Sequence, residues 1–89
     1  MPQQYPTAQE IGQRGKAIYE QQIRPHVEAA NKGRFLVVDI NTGEYEIAED
    51  DLTASNRAIA KNPDAVLYGV RIGYPTAYRF GGRRLTKPL

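Results

Sequence analysis

Residues 35–47 read FLVVDINTGEYEI. The run Phe35 to Ile40 is of strand length and rich in β-branched and large apolar side chains. Asn41-Thr42-Gly43 follows as a tight turn, with Gly43 supplying the positive φ of a bulged hairpin. Glu44-Tyr45-Glu46-Ile47 then alternates polar and apolar, as a half-exposed return strand does. The segment is therefore predicted as a β-hairpin. Its first strand is apolar on both faces, with Phe35 and Val37 on one and Leu36, Val38 and Ile40 on the other. An antiparallel strand with one wet face alternates instead. This strand is therefore predicted to be central and covered on both sides. Truncating Phe35 to alanine is expected to cost ~3–5 kcal/mol.

Outward from the hairpin, the C-terminal side supplies one cover. Asp50 is a good N-cap, and Glu49, Asp50 and Asp51 suit a helix start. A helix is predicted over 51–61, with Leu52, Ser55 and Ile59 on one face. Asn62-Pro63-Asp64 ends it. Val66, Tyr68, Val70 and Ile72 alternate with Leu67, Gly69, Arg71 and Gly73, a third strand. Gly73 to Thr76 turns, and 77–80 is a short fourth strand. On the N-terminal side, Thr7 and Glu10 form a capping box. Ile11, Gly15, Ile18, Tyr19, Ile23 and Val27 follow at helical spacings. Gly12 and Gly15 weaken such a helix, and are expected to allow close packing. Pro25 disfavours helical geometry at Arg24 and suits the start of a new segment. One helix is predicted over 8–23 and a short one over 25–31. The N-terminal helix, or a second subunit, must cover the other face of the central strand.

The class is thus α+β: an N-terminal helix followed by a ββαββ antiparallel sheet, in strand order 2-1-3-4, with helices packed on it. Residues 1–7 are expected to be disordered, 8–82 to form a single α+β domain and 83–89 to be a basic tail. A chain of 89 residues buries little more than ~60% of its unfolded surface. A two-fold dimer is expected, because so few elements must cover two sheet faces.

The 89 residues contain no cysteine and one histidine, so a thiolate metal site, a disulfide framework and histidine-based catalysis all lack their residues. Glu49-Asp50-Asp51 lacks the alternating ligands and central glycine of a calcium loop. The glycines of YGVRIGYPTAYRFGGRR do not have the spacing of a phosphate-cradling loop. No catalytic residue, metal or cofactor is assigned, and the expectation is a non-enzyme. No apolar run reaches the ~18 residues of a membrane span. The first ten residues carry no basic start followed by an apolar segment. A cytoplasmic protein without membrane contact is expected.

The charges are segregated. Residues 66–89 carry five bases and no acid, whereas Asp39 to Asp51 holds six acids and no base. Either the blocks neutralise each other, or the basic end steers a charged partner. The aromatics lean to the basic end: Tyr68, Tyr74, Tyr78 and Phe80 interleave with Arg71, Arg79, Arg83 and Arg84. Aromatics on a sheet with flanking arginines can stack bases and neutralise phosphates. Equally, the tyrosines can close the core while the arginines form its solvated edge. Arg71, Tyr74, Tyr78, Arg79, Phe80, Arg83 and Arg84 are the candidate partner-binding residues.

The blocks IGQRGKAIYEQQIRPHVE, KGRFLVVDINTGEYEIAEDDL and NPDAVLYGVRIGYPTAYRFGG resemble a family of small uncharacterised bacterial proteins common in cyanobacteria. The resemblance spans residues 10–85. It implies an antitoxin-like or regulatory protein with a small protein partner, and carries over no catalytic residue. The expected function is therefore non-enzymatic binding of a protein partner. The alternative is binding of single-stranded nucleic acid by the same C-terminal hairpin.

Overall fold

The computed structural model describes residues 6–75 and 77–82. In it Phe35–Asp39 forms β1, flanked by β2 (Tyr45–Ala48) and β3 (Val66–Arg71), both antiparallel to it. The strand expected to be central is central. It ends at Asp39 rather than Ile40 because Asp39 makes the turn. Its carbonyl accepts from the N–H groups of Thr42 (3.2 Å) and Gly43 (2.7 Å), and Gly43 adopts φ +83°. Beyond β3, the backbone of β4 (Ala77–Gly82) extends the sheet, giving the order β2-β1-β3-β4.

Both faces of β1 are covered within one chain. Leu36 and Val38 pack with Val66, Tyr68, Val70 and Ile72 of the β3 segment against Ile11, Tyr19, Ile23 and Val27 of the N-terminal helix. Val37, Ala48 and Leu67 point to the other face, onto Ala54 and Ala58 of α3 (Asp51–Lys61). The wholly apolar reading of β1 thus has its cause in two helical layers. The sheet needs no second subunit to cover it, so the argument from uncovered faces no longer calls for a dimer.

Three expectations change. Phe35 is half-buried at the end of β1, while Leu36, Val37 and Val38 are fully buried. The large truncation penalty therefore belongs to those residues and not to Phe35. On α3 the buried face is Ala54, Ser55 and Ala58, and Leu52 is 65% exposed. Small side chains let the helix approach the sheet closely, which a face built on Leu52 would prevent. Ser55 donates to Asp51 on the same helix (3.2 Å).

The third change lies at Pro25, which does not separate two helices. α1 (Ala8–Ile18) runs through a π turn at Tyr19–Ile23 into α2 (Arg24–Asn31). In an unbroken α-helix the proline ring would collide with the carbonyl four residues earlier and leave it without a donor. The wider turn relieves this, and the Arg24 N–H donates to the Tyr19 carbonyl, five residues back. The π turn also corrects the phase of the core stripe. Ile11, Gly15, Tyr19, Ile23 and Val27 are all buried and all four residues apart. Each such step overshoots an α-helical turn by about 40°, and a turn with wider bonding recovers part of that drift. Burial raises the pKa of both tyrosines in this layer, Tyr19 and Tyr68. The charge of Glu28 adds to the effect at Tyr19 and that of Glu20 at Tyr68.

Asp39 ties the far end of the sheet together. It is 4% exposed, and its Oδ1 accepts from the N–H groups of Asn41 (3.0 Å) and Val66 (3.4 Å). Oδ2 accepts from the Asn62 amide at 3.0 Å, fixing the residue that follows α3. One buried carboxylate thus joins the hairpin turn, the start of β3 and the C-terminus of α3. Asp39→Ala is expected to destabilise the fold by ~1–3 kcal/mol, because it strands these donors. Urea unfolding reads this directly, and an unchanged midpoint would remove Asp39 from the framework.

Candidate partner-binding corner

The end of the sheet opposite Asp39 carries Arg71 and Tyr74, both exposed. Phe35 pairs with Arg71 across β1–β3 and with Ala48 across β1–β2. Two turns meet there. After α2 the chain bends at Gly33 (φ +91°), whose N–H donates to Ile72 O (2.7 Å), while the Ile72 N–H returns a bond to Arg34 O (2.8 Å). After β3 it bends at Gly73, also at φ +91°. The stem of Lys32 lies against Gly73, so close that a Cβ there would come within 2.6 Å of Lys32 Cγ.

These turns place Arg71. Its Nε–H donates to Gly33 O at 3.0 Å. Its guanidinium carbon lies 5.2 Å from the centroid of the Phe35 ring and 4.5 Å from that of Tyr74. Tyr74 is 52% exposed. The corner is mixed in charge, because Arg34 pairs with Glu49 (3.0 Å). Asp50 and Asp51 follow directly, at the start of α3. Asp50 caps that helix by accepting from the Thr53 N–H (2.8 Å).

Of the candidate residues, Arg71 and Tyr74 meet here. Tyr78, Arg79 and Phe80 lie on β4, where Arg79 is in register with Gly69 and Phe80 with Tyr68. A register shift at Gly69/Val70 leaves Tyr78 as the extra residue of a bulge. Their side chains, and Arg83 and Arg84 altogether, lie outside the described residues. β4 ends at Gly82 in register with Val66, at the Asp39 end of the sheet. Five strand steps, about 17 Å, separate that end of β3 from Arg71. β4 thus begins beside Arg71, with Ala77 in register with Val70 and Arg79 with Gly69, and runs toward the Asp39 end. Phe35, Lys32 and Gly33 were missed as corner residues. The signal for them was faint, a Lys-Gly pair before a strand.

Two acids of the 39–51 block are paired among the described residues. Glu46 pairs with Lys61 and Glu49 with Arg34, and neither base comes from residues 66–89. Among the described residues there is no group of three or more potential metal ligands, and no helix is long and apolar enough to cross a membrane.

Comparison with known protein families, with characterised proteins and with solved structures finds no match in any of the three. The resemblance drawn above stands on its sequence blocks alone.

Proposed function

We propose that this protein is a non-catalytic cytoplasmic binding domain that engages a partner protein, in an antitoxin-like or regulatory role. The ββαββ unit is the platform, and the corner built on Arg71 and Tyr74 is the contact. The observation that supports this reading is the clamped Arg71 beside a half-exposed tyrosine. Arginine and tyrosine are the side chains that most often carry binding energy at protein interfaces, and a held side chain loses little freedom on docking. The mixed charge of the corner favours a protein over a polyanion, because Glu49, Asp50 and Asp51 sit at the same sheet end. Dimer formation is not required by this reading.

Single-stranded nucleic acid is the alternative, using Tyr78, Arg79, Phe80, Arg83 and Arg84. It requires an affinity that falls steeply with salt and a loss of ~1–3 kcal/mol when a stacking tyrosine such as Tyr78 is removed. The deciding experiment is capture of partners from the native host, with and without nuclease, by the unaltered chain and by Tyr74→Ala. A protein that survives nuclease and is lost from the Tyr74→Ala chain is the expected result. Capture that disappears with nuclease, together with salt-dependent binding of short single-stranded RNA or DNA, overturns the reading.

A further inference from the structure

We infer that Arg71 is a preformed receptor for a single side-chain carboxylate on the partner protein. The inference deepens the binding-domain reading and rests on it. Three contacts hold the guanidinium before any partner arrives: the bond from Nε to Gly33 O, the Phe35 ring and the Tyr74 ring. Nε is thereby committed, while Nη1 and Nη2 have no carboxylate among the described residues. Those two nitrogens form a planar fork whose geometry matches the two oxygens of one carboxylate.

The surroundings select the ligand. Ala48 and Arg71 flank Phe35 on its two sides, so the run that begins at Glu49 lies at the same end of the sheet. Glu49 is held by Arg34. A phosphate backbone would bring successive negative charges against Glu49, Asp50 and Asp51. An isolated glutamate or aspartate brings a single charge and meets less of that repulsion. The corner thus presents alternating signs, and a protein segment of mixed charge answers it.

The glycines explain why the receptor sits here. Gly33 must be at positive φ to turn its chain back against β3, and that turn aims its carbonyl at Arg71 Nε. Gly73 must be at positive φ to swing Tyr74 over the guanidinium. Both are conformations that side chains other than glycine rarely adopt. Two glycine turns therefore position one arginine.

The test uses the full chain and small probes, read by nitrogen NMR of the arginine side chains. Sodium acetate is titrated at constant ionic strength, with Arg14 as an exposed reference and a short single-stranded oligonucleotide as the phosphate backbone. Acetate is expected to move the Arg71 resonances at a midpoint about fivefold below that of Arg14, because the side-chain ordering is already in place. Tyr74→Ala is expected to bring the two midpoints together, while Arg14 stays unchanged. Equal midpoints in the unaltered chain overturn the inference, as does the oligonucleotide moving the Arg71 resonances at a lower concentration than acetate. The titration needs no partner. Its failure with protein capture intact removes the carboxylate receptor alone, and loss of capture with a low Arg71 midpoint removes the binding-domain reading instead.

Discussion

Gly15→Ala is expected to destabilise the protein by ~3 kcal/mol, at the upper end of what overpacking costs. An alanine Cβ at this position would lie 2.1 Å from Cγ of Tyr68, 2.4 Å from its Cβ and 2.5 Å from Cδ1. These atoms are the root of the side chain, pinned to β3 in the centre of the sheet, so no flexible end can swing aside. Helix α1 must lift or the tyrosine must leave its rotamer. Alanine improves helix propensity by about 1 kcal/mol over glycine, but that gain is smaller than the clash. The sign should therefore depend on Tyr68. In a Tyr68→Ala background the same substitution is expected to be neutral or stabilising, since the obstacle is gone. Denaturant unfolding of the four proteins forms a double-mutant cycle. A Gly15→Ala chain as stable as the unaltered one would mean that the helix and sheet are not in contact at this point.

Leu36→Ala is expected to cost ~2–5 kcal/mol. Leu36 is fully buried in β1, within the layer shared by the N-terminal helix and β3. The truncation leaves a cavity walled by Ile and Val side chains that strands and helices hold apart. Small domains have little stability to spare, on the order of 5 kcal/mol at the low end, so a large fraction of molecules should unfold in mild denaturant. Phe35→Ala should cost clearly less, although phenylalanine is the larger residue. Phe35 is half-buried and one ring face serves Arg71. The comparison is made by the urea midpoint at unchanged slope. A Phe35→Ala loss equal to that of Leu36→Ala would place the core boundary one residue further out.

The two substitutions probe the same layer from opposite sides. Gly15 measures how close the helix lies and Leu36 how well the space is filled. That layer carries the corner as well. Gly33 lies two residues beyond the end of α2, so its carbonyl reaches Arg71 only while the N-terminal helix keeps its seat on the sheet. Destabilising the layer should weaken partner capture together with folding, whereas Tyr74→Ala should weaken capture alone.

Much of the fold was legible along the chain, because the signals were local. The capping box at Thr7 and Glu10 is present, with the Glu10 N–H donating to Thr7 Oγ1 (3.1 Å) and the Thr7 N–H to Glu10 Oε1 (2.8 Å). Asp50 caps α3 and Gly43 turns the hairpin, each by an interaction between residues a few positions apart. The two-sided apolar run Phe35 to Ile40 announced a strand covered on both faces, since hydrophobic pattern reports burial whatever buries it; that the second cover is the N-terminal helix and not a second subunit is seen only in the fold. Other features depended on contacts between distant residues and could not be read in order. Periodicity proposed Leu52, Ser55 and Ile59 for the inner face of α3; Ser55 is buried and Ile59 packs at the edge of that layer, but its centre is filled by Ala54 and Ala58 and Leu52 is exposed. Proline chemistry proposed a break at Pro25, but tertiary packing kept one continuous helix by widening a turn. The aromatic and basic segment looked like a single surface because its residues are neighbours in sequence. Of that segment, the described side chains of Arg71 and Tyr74 meet at one corner, and β4 pairs along β3 beside them. Composition determined that this chain carries an aromatic and basic end. Only the tertiary structure decided that Phe35, Gly33 and Tyr74 would converge on Arg71, because register and two positive-φ glycines, not proximity in sequence, bring them to one corner.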